Sequence, residues 1–392
     1  MTLKRYDAIV VGSGFAGAVT ARELAEQSGA RVLVLEQRPH IGGNAYDCLD
    51  AAGVRIHCYG PHIFHTNDER VYRYLSRFTQ WLPYSHTVLG NIYGKLVPIP
   101  FNLNSIDALF STEKARRLER RLVEQYGAGS RVSIHTLRQA DDPELSDLAS
   151  FIFENVFARY TEKQWGTPPD AVDPSVLSRV PVLVSRDNRY FQDRFQGIPR
   201  DGYTALFERL LDHPGIEVRL SIDARSLLDV SSTGVRFEGA PFNGVVVYTG
   251  ALDELLGCSL GRLPYRTLDF QFETLPVTWY QPCATVNYTV DEPFTRITEF
   301  KYFSAQKIEN KTTIVKEFAR GYTGDSGEIP YYAVLCEKSA ALYACYLKQI
   351  AHLSRFYLIG RLAEYQYYNM DAIVGQALSR SKKILQDLEG SV

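Results

Sequence analysis

No stretch of this 392-residue sequence approaches the roughly 20 consecutive apolar residues that a membrane span requires. Cysteine is scarce. The six residues, at positions 48, 58, 258, 283, 336 and 345, show no C-x-x-C spacing. That argues against a zinc ribbon, a redox dithiol motif and a disulfide framework, and reduced structural thiols are expected. The eight histidines form no metal-ligand pattern, since His62 and His65 are close but lack a third ligand. An excess of either charge is also missing. The formal net charge of −2 gives no reason to invoke nucleic acid or an anionic membrane surface. There are no internal repeats and no low-complexity linker. What is present is a 45% hydrophobic content, enough for a sizeable core. The length suits two or three domains at about 100–200 residues each.

The most specific signal lies at the start. Ala8 to Val11 is a short apolar run that reads as a buried strand. Gly12, Ser13, Gly14, Phe15, Ala16 and Gly17 then supply a G-x-G-x-x-G turn opening a helix that runs to about Gln27. In that pattern the first glycine makes the tight turn and the second lets the backbone approach a pyrophosphate. The third lets helix and strand pack closely, and the helix N-terminus attracts the phosphate charge. Arg31 to Leu35 is the next strand. Glu36 at its end, followed by Gln37, is placed to accept hydrogen bonds from ribose hydroxyls and to disfavour a 2′-phosphate. Gly42, Gly43 and Asn44 lie just beyond, and a loop returning to the pyrophosphate there is a habit of large FAD enzymes. FAD is therefore expected rather than NAD. Enzymes that spend NAD(P)H each turnover commonly carry a second glycine-rich loop, and here there is one. That leaves an oxidase, an enzyme reduced without its own nicotinamide domain, or a flavin enzyme with no net redox. Met1-Thr-Leu-Lys-Arg leads straight into the first strand and leaves no room for a signal peptide, so a cytoplasmic location is expected.

The remaining nucleotide-domain elements are scattered, as if other units were inserted. Ile216 to Ile222 alternates like a strand. Gly244-Val-Val-Val-Tyr-Thr-Gly250 reads as a buried strand ending at a glycine beside the cofactor. Phe356 to Gly360 is a further strand. The helix after it carries Met370, Ile373, Val374, Ala377 and Leu378 on one stripe, with Asn369 as its N-cap. The expected fold class is α/β: a Rossmann-like FAD-binding domain (1–80, 205–260 and 335–392) with an inserted helical domain and an antiparallel β-sheet domain. The helical domain takes 103–180 and includes a mobile loop, 166–179, rich in proline. The sheet domain takes 81–102, 181–204 and 261–334, with Tyr265 to Phe272, Ala284 to Thr289 and Thr313 to Phe318 as its clearest strands. The Arg/Glu-rich run from Glu113 to Tyr126 is most simply a solvated helix face.

Several segments together resemble the UDP-galactopyranose mutase family. They are Ile41-Gly-Gly-Asn-Ala-Tyr46, Tyr59-Gly-Pro-His-Ile-Phe-His-Thr-Asn67, Tyr160-Thr-Glu-Lys-Gln-Trp-Gly166 and Asp187-Asn-Arg-Tyr-Phe191. Phe195-Gln-Gly-Ile-Pro199, Thr295-Arg-Ile-Thr-Glu299, Ile329-Pro-Tyr-Tyr332 and Gly360-Arg-Leu-Ala-Glu-Tyr-Gln-Tyr-Tyr368 follow in the family's order. The resemblance covers nearly the whole chain. It implies reversible conversion of UDP-galactopyranose to UDP-galactofuranose, with reduced FAD attacking the anomeric carbon through N5 and no net redox. It also implies a homodimer or higher homo-oligomer and a role in cell-surface polysaccharide biosynthesis.

The resemblance assigns roles to residues that would otherwise pass as ordinary packing tyrosines or surface arginines. Arg179 and Arg296 match the arginines that clamp the departing diphosphate. His62 is implied against the flavin and His65 against the sugar. Phe157, Tyr160 and Trp165 are implied on the uracil side, and Thr161 and Asn287 are implied to bind substrate. Tyr190, Tyr331 or Tyr332, and Tyr367 are implied at the diphosphate. Ile63, Ile222, Gly250, Arg361, Tyr368, Asn369 and Met370 complete the cofactor set. The chain departs from the commoner pattern at His86, where an Asn often faces the nucleotide, at Asn369, where an Asp is common, and at Ala333, where proline is usual. The sugar is left open by these changes: a UDP-N-acetylgalactosamine or dTDP-6-deoxyhexose mutase would show the same skeleton. An FAD amine oxidase begins in the same way but has no use for a diphosphate clamp.

Overall fold

The computed structural model describes residues 6–168 and 181–389. Its centre is a parallel five-stranded sheet in the order Ile216–Arg219, Val32–Leu35, Ala8–Val11, Val245–Tyr248, Phe356–Leu358. The inner strands are uninterrupted apolar runs because both their faces are covered. On one face lies the helix Phe15–Ser28, packed against the C-terminal helix Met370–Glu389. Ala18, Ala21 and Ala25 face Val374, Ala377 and Leu378 in one cluster, and the small side chains allow the close approach. The sequence expected the 216 strand to reach Ile222. It ends at Arg219, and Ser221 takes a positive φ that turns the chain along the sheet's edge.

A second unit is a seven-stranded sheet in the order Tyr332–Ala333, Tyr265–Leu275, Thr312–Gly321, Arg296–Glu299, Thr285–Tyr288, Val88–Ile92, Lys95–Ile99. It is not wholly antiparallel as expected, because Thr285–Tyr288 runs parallel to Val88–Ile92. Trp81–Pro83 and Phe195–Pro199, grouped with this sheet from sequence, instead join Phe64–Thr66 in a small sheet of their own. Short strands of ambiguous period can pair with either neighbour, and only the tertiary fold decides.

The third unit is helical. Its helices start at side-chain caps: Asn102 for Leu103–Leu109, Ser111 for Thr112–Tyr126 and Asp142 for Pro143–Ile152. A π-helical stretch, Phe153–Ala158, leads into Arg159–Trp165. The segment Tyr160 to Gly166 has a docking role. Lys163 Nζ donates to the carbonyls of Tyr288, Glu292 and Phe294 at 2.5, 2.9 and 3.3 Å. Arg266 donates to the carbonyls of Gln164 and Lys163 at 2.9 and 3.1 Å, satisfying the helix end. Gly166 is required there: its φ is +70°, and a Cβ would lie 2.5 Å from Arg266 Nη1.

Candidate active site

The helix Phe15–Ser28 has no side-chain cap at Gly14, so its first N–H groups are left for an external acceptor. Around that opening the side chains are pared away. Gly12 has φ +96°, and a Cβ there would meet Thr249 Oγ1 at 2.2 Å. Gly43 brings its backbone against Gly14, where a Cβ would be 3.0 Å from the Gly14 Cα. Gly42 N donates to Ser13 O at 3.2 Å, which ties the two loops together. Gly17 lies outside the groove and packs under it. A Cβ on Gly17 would stand 1.9 Å from the Gly12 carbonyl oxygen, a backbone atom that cannot move aside. Gly17→Ala is therefore expected to strip the protein of bound dinucleotide. Release of cofactor from purified, denatured protein measures this, and full occupancy would contradict it.

The groove continues to Glu36, which is buried. Glu36 Oε2 accepts from Ser13 N and Oγ at 2.9 and 2.7 Å, and Oε1 accepts from Arg38 N at 3.0 Å. Gln37, Asn44, Phe15, Ala16, Ile222 and Gly250 also line it, and Arg361, Tyr368 and Met370 close its far end. The fit to a long dinucleotide rests on this bare cradle and on one orphaned group. Arg38 Nη2 donates to Asn44 Oδ1 at 2.8 Å and its guanidinium lies 4.3 Å from the Tyr59 ring centre. Arg38 Nη1 is buried with no partner among the described residues, a donor waiting for an anionic or carbonyl group. Sequence reasoning missed Arg38, because nothing in its spacing separates it from a surface arginine.

Asn44, His62, Arg361, Tyr368 and Met370 also line a second cavity of about 700 Å³, so the groove opens into it. Its walls bring together residues far apart in sequence: Ile63, His65, His86, Tyr160, Tyr190, Asn287, Arg296, Tyr331, Tyr332, Tyr367 and Asn369. Ile63 and Asn369, expected on the cofactor side, stand in this second cavity. The Asn369 carbonyl accepts from Ile373 N and so closes the first turn of the C-terminal helix. Phe157 and Thr161 do not reach the cavity. Four residues apart, they share the buried face of their helix, while Tyr160 takes the neighbouring face. Trp165 also stands back from the cavity, its ring 5.9 Å from that of Tyr332. Arg179 and the expected lid from 169 onward lie outside the described residues.

Arg296 is held by strand register. It sits directly opposite Glu317 on the neighbouring strand, and its Nε donates to Glu317 Oε1 at 2.7 Å. Glu317 is 1% exposed and Arg296 27%, so the carboxylate is sealed and the guanidinium is not. Among the described residues its remaining N–H groups make no other hydrogen bond. Arg361 lies 5.4 and 6.0 Å from the ring centres of Tyr332 and Tyr367. Burial, with Tyr367 next, pushes the Tyr332 hydroxyl up to about 12. Burial also raises Tyr160 and Tyr331 well above the usual phenol range. All three are therefore neutral donors near pH 7, and the Tyr331 hydroxyl is buried without a partner among the described residues.

The histidines differ among themselves. His62 Nδ1 donates to Gly60 O at 2.9 Å, and its backbone N–H donates to His57 Nδ1 at 3.0 Å. Burial pushes His62 and His86 down to about 3, with cationic neighbours adding to it, so both are neutral. His65 is built differently: its Nδ1 is 3.0 Å from Asp193 Oδ2 and its ring stacks on Phe191 at 3.6 Å. Among the described residues no cluster suited to a metal ion and no helix long and apolar enough to cross a membrane is found.

Comparison with known proteins fits this arrangement. A family model for UDP-galactopyranose mutase matches residues 155–367, and one for an NAD(P)-binding Rossmann-like domain matches 10–78. The chain is 36% identical to a probable UDP-galactopyranose mutase of Klebsiella pneumoniae, covering 97% of this chain and 95% of that protein. It is 35% identical to a dTDP-fucopyranose mutase of Escherichia coli, covering 94% and 96%. A solved structure of reduced UDP-galactopyranose mutase superposes with a TM-score of 0.70 at 16% identity, covering 98% of this chain and 94% of that one, and so shares the fold.

Proposed function

The chain belongs to the UDP-galactopyranose mutase family and is an isomerase, and from that premise we propose that it interconverts UDP-galactopyranose and UDP-galactofuranose with reduced FAD. The observation that carries this is the junction. A groove shaped for a dinucleotide opens, at His62, Arg361 and Met370, into a cavity lined by arginines and neutral tyrosine hydroxyls. FAD in that groove would supply, once reduced, an electron-rich nitrogen nucleophile for the anomeric carbon. Gly12 to Ala16 and Gly43 would hold its pyrophosphate and Glu36 its adenosine ribose. The N-terminus of the helix Met370–Glu389 lies at the junction and favours negative charge there. Arg296, and Arg361 beside it, would take the charge of the departing diphosphate. A planar guanidinium does this bidentately, and the tyrosine hydroxyls donate without bringing charge of their own. We assign Arg179, from the family pattern, to the same diphosphate.

A dTDP-6-deoxyhexose is the second reading, favoured by the near-equal identity to the E. coli dTDP-fucopyranose mutase. Incubating reduced protein with UDP-galactofuranose and with a dTDP-6-deoxyhexofuranose separately, and resolving the products chromatographically, decides between them. In either case activity is expected only after reduction, with no net flavin oxidation per turnover. Stoichiometric consumption of NAD(P)H or O₂ during isomerisation would exclude the mechanism.

A further inference from the structure

We propose that His65, positioned by Asp193, is the proton carrier that serves both ring opening and ring reclosure of the sugar; this rests on the mutase reading above. Contracting a six-membered ring to a five-membered one exchanges one oxygen for another at C1. When the bond between C1 and the ring oxygen O5 breaks, its electron pair stays on O5, which takes the Nε2 proton of His65; the pair that C1 loses would be made up by the nucleophile that displaced the nucleotide, and returned to it when O4 closes. When O4 closes on C1, the O4–H proton returns to Nε2. The protein's proton count is unchanged over a cycle, and no oxidant or reductant is used.

The geometry singles out this residue. An ionised carboxylate can only accept, so with Asp193 Oδ2 at 3.0 Å the Nδ1 carries a proton and Nε2 is the exchangeable position. Nε2 makes no hydrogen bond among the described residues. The support behind the pair is complete. Asn67 Nδ2 donates to Asp193 Oδ1 at 2.7 Å, and Asn67 Oδ1 accepts from Arg194 N at 2.9 Å. Gln196, the strand partner of His65, donates to the carbonyls of Phe191 and Asp193 at 3.1 and 2.9 Å and fixes the turn carrying both. The ring itself lies flat on Phe191. His65, Asn67, Phe191 and Asp193 all face the cavity that holds Arg296. Among the described residues the other two cavity histidines have no carboxylate partner: His62 is bound to a backbone carbonyl and His86 lies 3.1 Å from the Tyr84 hydroxyl. Of the three, His65 is the one with a carboxylate against its ring. Asp193 touches no substrate in this scheme; it holds the tautomer and the ring plane.

The test separates two steps of one reaction. Reduced holoenzyme is given UDP-galactopyranose carrying a heavy-oxygen label in the anomeric bridging position. Scrambling of that label into the phosphate reports C1–O cleavage to UDP, and furanose formation reports ring contraction. In His65→Gln, scrambling is expected to persist while contraction falls by ~10²–10³-fold, the usual range for a lost general acid–base group. Asp193→Asn is expected to lower kcat for contraction by ~10²-fold with little change in KM, and Asp193→Glu to recover part of it. Normal contraction in His65→Gln overturns the proposal. So does an equal loss of scrambling and contraction, which would place His65 in binding or in the fold. If wild-type reduced protein scrambles label neither from UDP-galactopyranose nor from the equally labelled dTDP-6-deoxyhexose of the second reading, the mutase reading falls and the proposal falls with it.

Discussion

Arg296→Ala is expected to lower turnover by at least ~30-fold, the effect of removing a charge-assisted contact to a desolvated phosphate at roughly 2–5 kcal/mol. Cofactor content should be unchanged, because Arg296 lies in the second cavity and does not line the dinucleotide groove. The same substitution should also weaken the fold. Glu317 is 1% exposed, and Arg296 is its ion-pair partner among the described residues. Removing one member of a buried pair leaves an uncompensated charge, at a cost of about 3–5 kcal/mol. The two effects come apart in the double variant. Adding Glu317→Gln to Arg296→Ala removes the stranded charge, so the unfolding midpoint should recover while turnover does not. Arg296→Lys keeps a charge but not the fork, and should leave turnover well below wild type. Near-normal turnover in Arg296→Ala would take this residue out of the site. A double variant as active as wild type would mean that the loss was one of folding alone.

That ion pair also marks where sequence stopped informing structure. The dinucleotide loop was legible because its demands are local. A turn at positive φ, a contact with no room for Cβ and a carboxylate at the next strand end each require a particular residue at a fixed spacing, and Gly12, Gly17 and Glu36 meet them. The parallel strands were legible as unbroken apolar runs. The second cavity is assembled by long-range pairing instead. Glu317 opposite Arg296 is a fact of strand register, and Asp193 beside His65 depends on two short strands meeting 128 residues apart. No spacing rule encodes either, so the family pattern named Arg296 and His65 but not the carboxylates that hold them. The resemblance implies Phe157 on the uracil side with Tyr160 and Thr161 in substrate binding, and the structure places both on the buried face of their helix, because on a helix residues next to one another point apart. The segment Tyr160–Gly166, read as a ligand motif, owes much of its composition to docking helix on sheet: Lys163 reaches three carbonyls and Gly166 makes room for Arg266.

Acidification should destabilise the protein through three histidines, His57, His62 and His86, that the fold keeps neutral. His57 is 2% and His86 4% exposed. Burial first, then Arg55 for His57, His57 with Arg361 and Arg296 for His62, and Arg296 with His65 for His86, pushes each down to about 3 from an ordinary value of 6.5. The sign follows from which state binds more protons. Above pH 6.5 neither the folded nor the unfolded chain protonates these rings, and they contribute nothing. Below it the unfolded chain takes up protons that the folded chain refuses, so stability falls as pH drops from 6.5 and levels off only near 3. At pH 5 the gap amounts to roughly 2 kcal/mol for each ring, or about 6 kcal/mol for the three, a large part of the ~5–15 kcal/mol by which folded proteins are stable. Urea unfolding midpoints of the holoprotein at pH 7 and pH 5 measure this. His86→Asn removes one titrating ring, and Asn can still hydrogen-bond to the Tyr84 hydroxyl, so the loss between those two pH values should shrink by about a third. An unchanged pH dependence in that variant would show that His86 is charged in the folded protein, or that the acid sensitivity arises elsewhere.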